Sequence, residues 1–470
     1  MAQLDVSSLG QLPDEMLKFV LQHGTVSEAG ARLGQLTVHN RSAIQTPHYI
    51  VPTSRGAIPH LSQDNVQKHT RISAAYVSLE DFIEKSAENA PIYTTPTQNG
   101  DSALRNFTGL PSQCLSILGP RRVPSITPPA HNTNSSVTIS TSVGFRFLEL
   151  KHYNEALRKL KADLSTSLAD VIPTENASLK RIARSADRTH AWLRDTIEQK
   201  DRDGLRPFFA SIPPLDSPLL SLYLDDIRDE YKEHISGLCL YSPASTPELP
   251  DSLRHLPRIC VGNPTTPQAL LASIDMGVDM MTIPFVTQAS EFGIALSFSF
   301  PGSSSSSSSS AAETITTTTQ PLGIDMWSAT YATDTSPLSE GCTCYTCRRH
   351  HRAYVHHLLQ AKEMLAWALL QIHNYSVLDS FFDRVRESIK RRSFDDDSDT
   401  FNRLYESELP KQTGQGPRIR GYQMKSVGGA EARKNQKAWG KVDEQLQKLA
   451  EAESGVATPD GDANDIEEHV

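Results

Sequence analysis

Three cysteines, Cys342, Cys344 and Cys347, fall within six positions of the stretch "GCTCYTCRRHHRAYVHHLLQAKEMLAWALLQIHN" at 341–374. Soft sulfur ligands gathered in one turn-sized loop suit a tetrahedral metal ion such as zinc, which asks for a fourth ligand. Two sources compete for that place: His350 or His351 beside the loop, or His373 well beyond it. From Ala353 the pattern is helical, with Leu358, Leu365, Leu369 and Ile372 on one face. His373 lies at the edge of that apolar stripe, where it can reach back to a loop packed on the helix. His350 and His351 sit among Arg348, Arg349 and Arg352, in a charged stretch expected at the surface. His356 and His357 are adjacent and cannot share a helical face. With only six cysteines in the chain, three so close together point to metal binding. Four protein ligands leave no position for an activated water, so one structural Zn2+ per chain is expected, a scaffold and not a catalyst.

The elements that must hold this loop come from an alternating chain. Strand-like runs such as "AAYVSL", "FFASI", "GLCLY", "PRICVG", "VDMMTIPF" and "ALSFSF" alternate with helical stretches near 151–161, 176–198, 217–233 and 266–276. Strands apolar on both faces and separated by helices predict an α/β fold, better suited to a parallel barrel than to an open sheet. The segment "NSSVTISTSVGFRFLEL" reads as an inserted hairpin. The organisation expected is an N-terminal extension at 1–29, a barrel at 30–395 with a zinc subdomain at about 325–376, and a tail at 396–470. The serine-rich loop at 301–321 cannot bury enough apolar surface to offset its ordering entropy, and the tail is polar, basic and then acidic, so both are expected to be disordered.

Composition excludes several classes. A net charge of −9 argues against nucleic-acid binding by bulk attraction and leaves only local basic patches, including "RIRGYQMK" in the tail. No apolar run approaches the roughly 20 residues of a membrane span. "MAQLDVSSLGQLPDEMLKFV" has an early acid and no continuous apolar core, so it does not read as a signal peptide. A cytoplasmic setting with reduced thiols follows as the expectation, and Cys114, Cys239 and Cys260 sit singly in strand-like runs as buried thiols do.

The stretch "SPLSEGCTCYTCRRHHRAYVHHLLQAKEMLAWALLQIHN" closely resembles the zinc-binding segment of the tRNA-guanine transglycosylases, in its Cys-x-Cys-x-x-Cys loop, its Arg-Ala-Tyr-x-His-His-Leu helix start and its Ile-His-Asn end. "ARLGQLTVHNRSAIQTPHYIVPTSRGAIPHLSQDNV" and "LPRICVGNPTTPQALLASIDMGVDMM" are similar to other parts of that family, so the resemblance covers most of 30–395. It implies a (β/α)8 TIM barrel with an inserted zinc-binding subdomain and a disordered C-terminal tail. It also implies the ligand set Cys342, Cys344, Cys347 and His373. Family enzymes exchange guanine at the wobble position of tRNAs with GUN anticodons for queuine or a precursor, through a covalent RNA intermediate.

That chemistry needs one carboxylate to attack the ribose C1′ and another for proton transfer, both at the C-terminal rim of the barrel. In catalytic members the nucleophilic aspartate stands one residue beyond a Gly-Val-Asp-Met run. Here Thr282 occupies that place in "GVDMMTIPFVTQASEFG". A threonine hydroxyl is protonated at neutral pH and no base adjoins it, so it does not replace the carboxylate. Asp279 lies three positions earlier, an odd offset that points to the opposite face of a strand. The family's Pro-Thr-Arg-x-Ala-Arg tract is replaced by Val286 to Glu291. Its Asp-Ser-Gly-Gly-Phe-Gln stretch is reduced to Asp101 and Ser102 without the glycines, and its Gly-Gly-Leu stretch to "SGLCLYS" at 236–242.

Loss of the catalytic elements beside intact zinc ligands resembles the family's non-catalytic subunits, as do "TPHYIVPTSRGAIPHL" and "SLKRIARSADRTHAWL". The partners implied are a catalytic queuine tRNA-ribosyltransferase subunit in a heterodimer, joined through the face near the zinc subdomain, and tRNA. Peripheral attachment to the mitochondrial outer membrane from the cytosolic side is implied by the resemblance alone. The rival expectations are a self-sufficient transglycosylase using Asp279 or Asp101, and a zinc-stabilised RNA-binding module using the basic tail.

Overall fold

The computed structural model describes residues 16–23, 30–84, 88–97, 102–128, 131–172, 177–200, 207–215, 217–301 and 319–417. Most of the serine-rich loop, Asp101 and the chain beyond 417 lie outside the described residues. β1 (Leu17–His23), β2 (Leu33–Val38) and β3 (Ile44–Thr46) form an antiparallel sheet at the start of the chain. β4 (His48–Pro52), α1 (Gln63–His69), β5 (Ala74–Ser78), α2 (Ala103–Thr108) and β6 (Leu115–Gly119) follow. The hairpin read at 134–150 is present as β7 (Ser136–Thr141) and β8 (Gly144–Glu149). After it come α3 (Leu150–Leu160), β9 (Leu164–Thr166), α4 (Leu179–Lys200), β10 (Phe208–Ile212), α5 (Ser217–Asp226) and β11 (Gly237–Leu240). β12 (Arg258–Cys260), α6 (Pro267–Asp275), β13 (Met280–Thr282) and α7 (Pro284–Glu291) complete the alternation.

Eight strands close a parallel barrel in the order β4, β5, β6, β9, β10, β11, β12, β13 and back to β4. The apolar runs of the sequence are explained by this closure, because β5, β6, β10 and β11 are buried at every position. Two buried acids pin strands at the side where they enter. Asp163, just before β9, takes hydrogen bonds from the backbone N–H and hydroxyl of Ser116 in β6 and pairs with Arg41 and Arg105. Burial alone would raise its pKa, but Arg41, Arg105 and the Ser116 amide hold it below the usual carboxylate range. Asp279, just before β13, accepts from the Arg258 backbone N–H at 2.7 Å and from both sides of the Arg32 guanidinium.

The run "ALSFSF" is not a barrel strand. Its first residues form β14 (Ile294–Leu296), which pairs antiparallel with β15 (Gly323–Asp325) outside the barrel, since β13 already closes onto β4. The helical stretch after Ala353 is also broken. α8 (Tyr345–Arg349) and α9 (Arg352–Gln360) precede α10 (Met364–Arg391), and Lys362 between them adopts φ 56°. The break folds α9 back, so that Leu358 and Leu359 pack with Trp367, Leu369 and Leu370 in one apolar cluster. The folded chain continues past the boundary expected at 395, as α11 (Phe394–Leu404). Asp395, Asp396 and Asp397 make this stretch read as polar, yet they occupy a helix N-terminus, where acids are favoured, while Phe394, Phe401 and Tyr405 are buried.

Candidate metal centre and barrel mouth

The cysteine loop is shaped by local chemistry before any metal enters. Gly341 takes φ 73°, a left-handed turn that favours glycine, and Cys344 caps α8 by accepting the Cys347 backbone N–H at its sulfur. Thr346 fastens α8 to α10 by donating its hydroxyl to the Leu369 carbonyl at 2.7 Å. On the same helix, His373 and Asn374 grip β14. The His373 Nε2–H donates to the Leu296 carbonyl at 2.9 Å, and the Asn374 side chain accepts from Leu296 N–H and donates to Ile294 and Ser290.

That bond leaves the His373 Nδ1 lone pair aimed at the sulfurs, fixing tautomer and ring orientation together. Nδ1 lies 3.7 Å from Cys342 Sγ, 3.7 Å from Cys344 Sγ and 3.3 Å from Cys347 Sγ. The four donor atoms lie within 4.8 Å of one another. A tetrahedral ion with ordinary Zn–S and Zn–N bonds sets its sulfur and nitrogen ligands about 3.6 Å apart, so the group fits a metal ion without rearrangement. Hydrogen bonding among the sulfurs pushes the Cys342 thiol far below its usual range and the Cys344 thiol far above it, so the cluster shares its protons unequally. The neighbouring histidines take no part. His351 caps α9 through Nδ1, the His350 ring stacks on Tyr354, and His356 Nδ1 bonds the Met326 carbonyl.

The second location is the C-terminal mouth of the barrel, where (β/α)8 enzymes place their chemistry. Thr282 ends β13 fully buried, and its hydroxyl donates to the Gly262 carbonyl at 2.6 Å. The hydroxyl acts as a strand-to-strand fastener. Asp279 lies at the opposite end of β13, in its ion pair with Arg32. Ser102 caps α2 and donates to Leu160 at the end of α3, on the side where strands enter, so it does not reach the mouth. The residues that leave β6 at the mouth are instead Gly119, Pro120, Arg121 and Arg122.

Three acids emerge at the mouth after β5 and β9, and each is held. Glu80 accepts from Arg122 Nε at 2.9 Å, from the Arg122 backbone N–H at 2.8 Å and from Ser140 N–H at 2.8 Å. Burial still pushes its carboxyl above the usual range against the pull of Arg122. Asp81 pairs with Arg122 at 3.1 Å. Asp170 accepts from Arg181, Arg188 and Asn132. Burial opposes its ionisation, but these bonds hold it below the usual carboxylate range. Sequence reasoning passed over these clamps, although "SLED" and "GPRRVP", each directly following an apolar strand, are their visible trace. All three of these acids are thus committed to arginine or amide partners and not free to attack a ribose.

Comparison with known proteins agrees with this geometry. The family model described as queuine tRNA-ribosyltransferase matches residues 27–407. The chain is 35% identical over 426 residues to the queuine tRNA-ribosyltransferase accessory subunit 2 of Schizosaccharomyces pombe, spanning 90% of this chain and 92% of that protein. Proteins of the same name from Xenopus laevis and Drosophila melanogaster are 28% and 25% identical, covering 77% and 80% of this chain and 94% and 90% of their own lengths.

Proposed function

The chain belongs to the queuine tRNA-ribosyltransferase family, and from that premise we propose that it is the non-catalytic subunit of a tRNA base-exchange heterodimer. A catalytic family member supplies the carboxylates that exchange guanine for queuine at the wobble position, and this barrel supports tRNA binding and assembly. The observation that carries the reading is Thr282, which stands at the expected nucleophile position with its hydroxyl committed to Gly262, beside rim acids clamped by arginine.

The bound metal is zinc, held by Cys342, Cys344, Cys347 and His373. Three thiols and one imidazole form a donor set that suits it, and four protein ligands make the site structural. The face next to this centre is the pairing surface. Tyr345, Met364 and Leu365 expose apolar side chains there, Met364 at 78% of its area. Local cations for RNA are offered by the exposed Lys180 and Arg184 of α4 and Arg348 and Arg349 of α8. Cytoplasmic location with peripheral attachment to the mitochondrial outer membrane completes the reading. It rests on the resemblance, and no described helix is long and apolar enough to cross a membrane.

The test is incorporation of labelled queuine or guanine into unmodified tRNA by this chain alone, by a catalytic family member alone and by the two mixed. Exchange in the mixture, at a rate well above either alone, is expected. Exchange by this chain alone overturns the assignment.

A further inference from the structure

Among the described residues, one arginine at the barrel mouth has no acid of its own. Arg121 lines a cavity of about 170 Å³ together with Tyr76, Tyr241, Val123, Val137 and Val261. Its Nη2 donates to Asn132 Oδ1 at 3.0 Å, and its Nε is buried with no hydrogen-bond partner among the described residues. The surrounding acids are answered by other cations: Glu80 and Asp81 by Arg122, Asp170 by Arg181 and Arg188. Gly119 contributes by its missing side chain. A Cβ there would stand 1.9 Å from the Tyr76 hydroxyl, which instead bonds the Arg121 carbonyl at 2.8 Å and sets the arginine backbone against the cavity.

We propose that this cavity binds a compact monocarboxylate with an apolar body, anchored by the Arg121 guanidinium. A buried donor without a partner is rare in a folded protein and asks for an acceptor. A guanidinium presents a fork of N–H groups that matches a carboxylate. One uncompensated positive charge suits a monoanion better than a phosphate dianion. The valine and tyrosine side chains around it suit an apolar body, and the volume lies below the roughly 300 Å³ at which sites for drug-sized ligands begin. Burial lowers the Arg121 pKa against the pull of Glu80 and Asp170, the direction of a desolvated cation. The proposal goes beyond the accessory role and does not rest on it, so its failure leaves that role untouched.

The full chain is titrated with benzoate, followed by saturation-transfer NMR on the ligand, with benzamide and inorganic phosphate as comparators. Benzoate should bind saturably and at least tenfold more tightly than benzamide, and phosphate should fail to displace it at equal concentration. Arg121→Gln should weaken benzoate roughly ten- to hundredfold and leave benzamide nearly unchanged. Val261→Phe, which narrows the apolar side and leaves the arginine in place, should weaken both. Absence of saturable benzoate binding, equal affinity for benzamide, displacement by phosphate, or full benzoate affinity in folded Arg121→Gln or Val261→Phe protein each overturns the proposal.

Discussion

Replacing Asp279 by asparagine separates a barrel fastener from a hidden nucleophile. The carboxylate is 1% exposed and accepts three hydrogen bonds: Arg32 Nε at 2.8 Å, Arg32 Nη2 at 2.5 Å and the Arg258 backbone N–H at 2.7 Å. Arg32 is itself 7% exposed and donates two further bonds to the Arg254 and Leu256 carbonyls, so it cannot swing out to water without breaking those bonds as well. Burial and the Arg32 charge already push the Arg258 guanidinium down to about 9, so removing Asp279 leaves two neighbouring buried cations without their acid. Breaking a buried pair in this way costs about 3–5 kcal/mol, and the crowded cations place Asp279→Asn towards the upper end. Urea unfolding should show the midpoint falling with little change in slope. Adding Arg32→Met should recover part of the loss, since an apolar side chain needs no counter-charge. In the mixture with a catalytic partner, the folded variant should support exchange at the parental rate. A variant as stable as its parent, or a covalent RNA adduct on the parent chain that the variant loses, would refute the reasoning.

Cys344→Ser removes one sulfur from the metal group, and zinc content and soluble yield should fall together, because structural zinc contributes directly to folding, by about 10 kcal/mol or more in small zinc domains. Full solubility of a metal-free Cys344→Ser protein, measured by elemental analysis of the purified chain, would contradict the structural assignment. Asp379 gives a pH-dependent prediction. Burial raises its pKa to about 6 against the opposing Tyr49 hydrogen bond at 2.6 Å and the Arg71 charge. The folded state therefore holds a proton that the unfolded state, with a value near 4, has released. Stability should fall as pH rises between those values, and at pH 8 Asp379→Asn should be more stable than the parent by about 2–3 kcal/mol. The difference should vanish below pH 4, and denaturation midpoints across pH that run parallel for the two proteins would exclude the effect.

Much of the candidate centre was legible because its signal is local. Cys342, Cys344 and Cys347 advertise their chemistry by spacing, and His373 shows its direction through the apolar stripe it borders. The competing histidines could not be dismissed from the same stretch alone. His351 is used as a helix cap and His356 as a donor to Met326, roles that depend on where α9 begins and what packs against it. The break at Lys362 was hidden because both halves of the helix carry compatible apolar spacing, and only the fold-back of α9 makes two helices out of one pattern. The chain after residue 395 was misleading for a simpler reason. Four aspartates dominate its composition, while the residues that anchor it, Phe401 and Tyr405, are few and scattered.

By itself the sequence determined the alternation of strands and helices and the types of the metal-binding residues, because both are written in neighbours along the chain. It also showed that no carboxylate stands at position 282. Only the tertiary structure decided what the other charged groups do. Arg32 meets Asp279 across 247 residues, Glu80 meets the Ser140 amide across 60, and His373 turns its lone pair to the sulfurs because Leu296, 77 residues earlier, takes its other nitrogen. Burial and hydrogen bonding set whether an acid is a catalyst or a fastener, and both depend on partners that barrel closure brings together.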